Sequence, residues 1–477
     1  MSVSWIPRWC DTETEPFTLS AGPHEWRGAR PTDWAATGEG LRRAHERLRD
    51  LPVRRIVEAV DVAAERWAKR DFPERRAAVE AAARVTGMSV ETVDRALDAE
   101  VGVALRAPSL IAALERELGD PEVLDGFRGG ATAVGPRTAL AVFSGNVPGL
   151  PARSLVRALL VKSSVIAKVP AKEPHFTAAF LRTLHEVEPR LADAVVATYW
   201  DRDDDATMSA ALEQADAVIA YGSDQACAAI RAKVAPHQLY EEHGHKLSFG
   251  VVSAAYARLH GPAEVARRIA ADCSDFDQHA CLSPQVYLVA AEHARAVAEH
   301  VADAMRRAAA DCPPGAVADQ DAAVLQHRRL VAEWRAAGRA SCEVWAAGGL
   351  EWTVVLDDAL LPLSGAGNRV ARIVAVPDVA AAVAAMRPYA AHLQTVGLGA
   401  VGDEFWRAAG ELARAGVSRV AEPGAMARAS MRWRHDGQPR IAGLVRWCDV
   451  EAAPVRADLP PSGGPHAADD HRDRRGT

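Results

Sequence analysis

The chain has 477 residues, 49% hydrophobic and 25% charged, which suits a globular protein of two or three domains with a core that needs no disulfide staples. A net charge of −7, with pI near 6.2, excludes nucleic acid as the main partner, because no basic excess is present to neutralise phosphates. The cysteines Cys10, Cys227, Cys273, Cys281, Cys312, Cys342 and Cys448 form no Cys-x-x-Cys pair, so a reducing compartment is expected, with neither a disulfide framework nor a metal site.

The N-terminal stretch 1–8 has no apolar signal core, and the alanine-rich run 379–386 falls far short of the ~18 residues a membrane span needs. A cytoplasmic protein without a membrane span is expected. Residues 1–40, rich in Trp, Pro and Gly without a period, read as an irregular arm. From about 40 to 118 apolar residues recur at three- and four-residue spacing and predict helices, with Ser89 as an N-cap. This region, 1–118, is expected to pack on the domain that follows.

Between about 137 and 252 strand and helix alternate. Continuous apolar runs at 139–143, 164–168, 195–200 and 217–221 predict strands buried on both faces. Helices separate them near 155–160, at 176–188 before Pro189, and at 208–215. This alternation predicts a parallel sheet covered by helices, whose ligands bind beyond the carboxyl ends of the strands. The first such domain is placed at 119–252, with 129–136 as a bridging strand. A second α/β region is placed at 253–425, with helices 264–272, 293–309 and 403–415 and strands 286–289, 352–356, 370–376 and 417–421. Residues 426–452 read as further strand. Residues 453–477, rich in Pro, Gly, Asp and Arg, read as a disordered tail.

Candidate chemistry gathers on the loops. Cys281, in Asp275-Phe276-Asp277-Gln278-His279-Ala280-Cys281-Leu282-Ser283, leads into an apolar strand. Such a residue is either an inert core thiol or, beside cationic or dipolar groups, a thiolate nucleophile for a carbonyl. A depressed pKa would make it react with iodoacetamide before the other six. His279 either assists ionisation or is an ordinary loop histidine. Asn146, in Gly145-Asn146-Val147-Pro148, either donates its amide to an oxyanion or serves its turn. Lys168 closes an apolar strand and must reach solvent or a ligand hydroxyl. Gly222-Ser223 before a helix suits a phosphate. Glu242 is placed as an acid, a base or a solvated carboxylate. A GxGxxG at 397–402, with Glu422 about 20 residues on, fits either a dinucleotide fingerprint or a turn into the next helix.

The order of these pieces carries more than any one of them. Gly-Asn-x-Pro, Lys168, Gly222-Ser223, Glu-x-Gly-x-Lys at 242–246 and Gln-x-x-Cys at 278–281 resemble the aldehyde dehydrogenase superfamily. Ser144 to Pro148, Tyr199-Trp200, Asp277-Gln278-x-Ala280-Cys281, Gln394-Thr395 and His435-Asp436-Gly437 are similar to the acyl-CoA reductases of the bacterial luminescence fatty-acid reductase, the LuxC type. The likeness covers roughly 120–445.

The resemblance implies an α/β, aldehyde dehydrogenase-like fold: a Rossmann-like cofactor domain, an α/β catalytic domain and a small strand-based oligomerisation element. A homo-oligomer bridged by strands near 129–136 and 430–447 is expected. Cys281 would be the nucleophile, Asn146 with the Cys281 N–H the oxyanion hole, and Glu242 the general base. Cofactor contacts would come from Ser144, Gly145, Lys168, Pro170, Ala171, Lys172, Gly222, Ser223 and Gly244. NAD-preferring aldehyde dehydrogenases carry a ribose-binding Glu three residues after this Lys. Here Ala171 and then Lys172 favour NADPH, with NADH as the alternative and Glu173 close by. The superfamily's Glu-x-Phe grip on the nicotinamide ribose has no match near 362–367, and its members do not use a GxGxxG. The implied activity is NADPH-dependent reduction of an acyl-CoA or carrier-protein thioester to an aldehyde through an acyl-cysteine, with an acyl-transferring synthetase as a further partner. Alternatives are an aldehyde dehydrogenase in which Glu242 activates water, and a catalytically silent, partner-binding member.

Overall fold

The computed structural model describes residues 2–10, 13–21, 24–338, 341–360, 363 and 367–452. The expected tail at 453–477 and most of the stretch around 362–367 lie outside these residues.

The arm is not irregular. It opens with an antiparallel hairpin, β1 (Thr14–Ala21) and β2 (His24–Pro31). Most of its residues stay half-exposed, so no strong apolar alternation marks it in the sequence. Trp5 extends the neighbouring sheet, exchanging N–H···O bonds of 2.8 and 2.9 Å with Ala197. Helices Trp34–Arg49, Val53–Ala68, Pro73–Thr86, Val90–Leu97 and Ala107–Leu118 follow. Ser89 caps its helix as predicted, accepting from Thr92 N–H at 3.1 Å. A π-helical stretch, Asp98–Val103, follows the fourth helix.

After β3 (Ala131–Val134) come β4 (Thr138–Val142), β5 (Ser164–Lys168), β6 (Val195–Thr198), β7 (Ala217–Tyr221) and β8 (Leu239–His243). The last five form a parallel sheet in the order β6-β5-β4-β7-β8. Val165, Ile166, Val195, Val218 and Ile219 are fully buried, each contributing about 1.5–3 kcal/mol. The chain reverses direction between β4 and β7, so the loops after those strands flank the switch point where such sheets bind ligands.

The second sheet contains β9 (Leu247–Val252), β10 (Pro284–Ala290), β11 (Glu343–Ala346), β12 (Thr353–Asp357), β13 (Val370–Val376), β14 (Leu393–Gly399) and β15 (Arg419–Ala421). Its order is β11-β12-β13-β10-β9-β14-β15, parallel except at the β11 edge. The expected boundary at 252 is therefore too late. β9 is a wholly buried run that pairs with β10 and β14, so the chain changes sheet at the 244–246 turn.

The GxGxxG is not a phosphate loop. Gly397 and Gly399 lie inside β14, where a Cβ would meet Met426 Sδ at 2.8 Å and the Tyr256 ring at 2.7 Å. Their smallness admits neighbouring side chains. Residues 426–452 are mostly turns rather than strand. Only β16 (Arg446–Asp449) forms there, pairing antiparallel with β3 in a separate two-stranded sheet. Carboxylates hold the turns: Asp272 accepts from Gly424 and Met426 N–H, and Glu117 from Arg440, Ile441 and Ala442 N–H. No helix among the described residues is long and apolar enough to cross a membrane.

Candidate active site

The turn after β4 and the cysteine loop meet. Asn146 Nδ2 donates to the backbone oxygen of His279 at 3.0 Å, two residues before Cys281. Asn146 Oδ1 accepts from Ser144 Oγ, which fixes the amide's orientation. Gly145 is required by close approach: a Cβ there would lie 2.9 Å from Lys172 Cβ and 3.1 Å from Pro170 Cβ. The turn is thus pressed onto the loop after β5. Val147 packs with Phe276 and Ala280, closing the same corner from its apolar side.

The cysteine loop is held against its backbone preference. Phe276, Asp277 and Gln278 have φ of 54°, 48° and 64°, three consecutive left-handed residues without a glycine. Each costs of order 1 kcal/mol, so the surroundings must over-determine the turn. Asp277, fully enclosed, accepts from Arg369 Nε at 2.7 Å and from Gly315 N–H at 3.1 Å. Gln278 donates to the backbone oxygens of Pro284 (2.8 Å) and Val370 (2.9 Å) and accepts from Val370 N–H (2.7 Å). Asp277 and Gln278 are scaffolding for the turn that aims Cys281. Ser248 Oγ, on β9, bonds the Cys281 carbonyl oxygen at 2.7 Å.

Cys281 itself is half-buried. Its thiol is not poised as the sequence suggested. Burial and the carboxylate of Asp436 push it up to about 12, opposed by a hydrogen bond from Gln394 and reinforced by Glu100. Burial and the acidic groups that act on it favour the neutral thiol. His279 does not change this. Its ring is exposed and faces Asn368 Oδ1 at 3.2 Å, and only its backbone takes part in the corner.

A buried polar chain runs away from the sulfur. Gln394 Nε2, at the start of β14, donates to Asp436 Oδ1 at 2.6 Å. The other Asp436 oxygen faces His243 Nδ1 at 2.8 Å, and His243 Nε2 faces Glu241 Oε1 at 2.7 Å. Arg157 Nη1 donates to Glu241 at 2.5 Å. Despite burial, Tyr221 and the two carboxylates raise His243 to about 9, making it an imidazolium near neutrality. Arg157 and His243 hold Glu241 down at about 2 against the effect of its burial. His435 stacks on His243 at 4.2 Å and is pushed well below the usual histidine range, first by burial and then by that charge.

Glu242 is turned away from this chain. Alternation along β8 puts Glu241 and His243 on one face and Tyr240 and Glu242 on the other. Glu242 pairs with Arg231, whose guanidinium lies 4.8 Å from the Tyr240 ring. The residue predicted as general base is therefore an ion-pair partner of the helix Asp224–Arg231.

At the carboxyl edge of the first sheet, Lys168 Nζ sits 5.2 Å from the Tyr199 ring and 5.4 Å from the Trp200 ring. Burial lowers it to about 8, against the attraction of Asp201 and Asp204. Glu173 leaves the ribose question open to its neighbours, because its side chain is buried and accepts from Gly149 N–H at 2.7 Å. Burial raises its carboxyl to about 8. Lys172 remains exposed on the same loop, after half-buried Ala171. Gly222 and Gly244 stand together at the ends of β7 and β8, Gly222 N–H donating to His243 O at 3.2 Å. Ser223 caps the helix Asp224–Arg231, accepting from Ala226 N–H at 3.2 Å. Asp224 then accepts from His245 N–H at 2.6 Å. This helix start already carries its own anion, and the Gly222 N–H is already given to His243, so it is not an empty phosphate cap.

The sequence profile of acyl-CoA reductase (LuxC) matches residues 48–447. The chain belongs to this LuxC family. It is 24% identical over 251 residues to the long-chain acyl-protein thioester reductase of Vibrio harveyi and 26% over 251 residues to that of Aliivibrio fischeri. Each match covers 50% of this chain and 51% of the relative, so the chain spans about half the length of the curated relatives it matches. Among solved structures, the NADP-dependent glyceraldehyde-3-phosphate dehydrogenase of Bacillus halodurans C-125 superposes with TM-score 0.68 at 12% identity, covering 91% of this chain and 95% of that one. A putative aldehyde dehydrogenase of Anabaena variabilis gives 0.63 at 16% identity, covering 91% and 97%. The aldehyde dehydrogenase-like α/β fold is established by these neighbours.

Within this LuxC-family chain the structure gathers Ser144, Gly145, Asn146, Pro170 and Lys172 into one corner and joins it to the Cys281 loop. It separates Glu242 and the His279 ring from that corner. Sequence reasoning missed Glu241, His243, Gln394 and Asp436 as site residues. The signal for the first two was the period of two along β8. Gln394 and Asp436 stood in segments with the family's wording, yet only the folded chain brings them to the sulfur. A cleft of about 980 Å³ opens between the N-terminal helices and the second α/β region, with Glu100, Phe276, Arg307, Arg428 and Met431 among its walls. Phe276 belongs to the cysteine turn, so this cleft borders that turn.

Proposed function

We propose that this protein reduces an acyl thioester, carried on coenzyme A or on a protein, to an aldehyde with NADPH, through an acyl group on Cys281. The observation that carries the reading is the contact of Asn146 with the Cys281 loop at the switch point of the first sheet. There a nucleophile, an amide donor and the cofactor edge converge. Membership of the LuxC family, and the thioester-reductase activity of the relatives that the chain matches over about half their length, support the same reaction class.

Fit to a dinucleotide is supported by Lys168, held on two aromatic rings at the carboxyl edge of the sheet. Lys168, Ser144, Gly145, Pro170, Ala171, Lys172, Gly222, Ser223 and Gly244 would hold it. Bound there, a reduced nicotinamide supplies the hydride. With Glu173 turned inward, Lys172 is the charge left to meet a 2′-phosphate, which favours NADPH over NADH.

The thioester would enter by the cleft beside Phe276. Cys281 attacks its carbonyl. One N–H of Asn146 holds the loop, and the second is left for the oxyanion. The departing thiolate takes the cysteine's proton, and reduction of the acyl carbon followed by collapse of the thiohemiacetal frees the aldehyde. Because Glu242 is committed to Arg231, hydrolysis of the acyl-enzyme lacks its base, and this supports the reductase over the dehydrogenase. Acyl-CoA with NADPH should give aldehyde and oxidise the cofactor, faster than with NADH. Cys281→Ala should abolish both while keeping cofactor affinity, and activity retained in that variant would end the proposal.

A further inference from the structure

Resting on the reductase reading, the geometry points to Gln394 as a positioning residue for the Cys281 sulfur, itself fixed through Asp436 by the buried ring of His243. Gln394 is fully buried, and its amide donates to Asp436 at 2.6 Å. The next residue ties this strand to the cysteine: Thr395 N–H donates to Ser248 Oγ at 3.3 Å, and Ser248 Oγ donates to the Cys281 carbonyl oxygen at 2.7 Å, so the Gln394 amide acts on the thiol and favours its ionised form. An ionised carboxylate only accepts, so the nitrogen of the amide must face Asp436. One of its two N–H groups is then given to Asp436, which leaves the other for the sulfur. The consequence is visible at the other end: Gln394 Oε1 is buried without a partner. A buried acceptor left unpaired is costly, and orientation of the donors accounts for that cost.

The chain behind Gln394 balances charge. Asp436 and Glu241 bracket the ring of His243, and Arg157 meets Glu241. Tyr221 and His435 stack on His243, at 4.3 and 4.2 Å, while Arg440 and Arg153 act on His435 from farther out. While His243 is protonated, the two carboxylates are compensated and the Gln394 dipole can favour negative charge on Sγ. In acyl transfer the bond from the acyl carbon to the leaving sulfur breaks as the bond to Cys281 Sγ forms. The thiol proton ends on the departing thiol, and no further reagent is consumed. Gln394 stabilises the sulfur charge that develops before attack.

The wild-type acylation rate should climb with pH as more thiol ionises. It should then bend downward near pH 9, where His243 loses its proton and leaves Asp436 and Glu241 uncompensated. The test is rapid-quench intact mass of wild type, Gln394→Met and His243→Gln with an acyl-CoA and with an acylated carrier protein, without cofactor, over a range of pH. Gln394→Met should acylate on the order of 100-fold more slowly at each pH, as when an enzyme loses one preorganised donor, with NADPH affinity unchanged. His243→Gln should lose the bend. Acylation of Gln394→Met within about threefold of wild type, or a bend retained in His243→Gln, overturns the inference. If His243→Gln fails to fold, as judged by NADPH binding, the Gln394→Met arm decides alone. An unmodified wild-type Cys281 overturns the reductase reading itself, and the inference with it.

Discussion

The parallel sheet β4–β8 and the cysteine loop position chemistry in opposite ways. The sheet uses ordinary strand conformation and continuous apolar runs, and its ligand edge follows from topology: Lys168 ends β5, and Gly222 follows β7. The loop uses three left-handed residues that no local preference would select, and distant partners hold them. Arg369 reaches Asp277 from 92 positions along the chain, and Val370 pairs with Gln278 across the same separation. Precision at the thiol therefore depends on long-range polar clamps, whereas precision at the sheet's carboxyl edge depends on burial.

The largest difference should appear when a clamp is cut. Asp277→Ala strands the buried Arg369 guanidinium, and unfolding in urea should show a loss of about 3–5 kcal/mol. Acylation of Cys281 should fall with it. A loss below about 1 kcal/mol would mean the loop holds itself.

A pH series sharpens the comparison at the junction of the two regions. His243 is raised from 6.5 to about 9 in the folded chain, so its contribution to stability is complete below pH 6.5 and fades as pH rises through about 9. Denaturation midpoints should decline across that window, and His243→Gln should flatten the decline. An unchanged slope in the variant would place the titration elsewhere.

The smallest effect is expected on the outer face of β8. Glu242→Gln breaks an exposed pair with Arg231, worth about 0.2–1 kcal/mol, and thioester reduction should stay within about twofold of wild type. A large loss of reductase activity would return Glu242 to the chemistry.

What the sequence revealed divides along the same line. The runs 164–168, 217–221 and 370–376 coincide with β5, β7 and β13 because strands flanked on both faces are largely buried and so largely apolar. Ser89 was legible because a cap is a local event. The hairpin β1–β2 was not, since its residues are mostly half-exposed and alternate weakly. Glu242 was singled out over its neighbours because a motif aligns residues, whereas the strand's period decides which face each side chain takes. The thiol's high pKa was invisible for a different reason. Asp436 lies 155 positions after Cys281, and only the fold brings its charge to the sulfur.

One experiment bears most directly on the whole account: intact-mass and peptide mapping of the protein after exposure to acyl thioesters without cofactor. A single acyl group on Cys281, absent in Asn146→Ala or formed far more slowly there, is the expected result. A protein that stays unmodified, or one acylated at another cysteine, would contradict it.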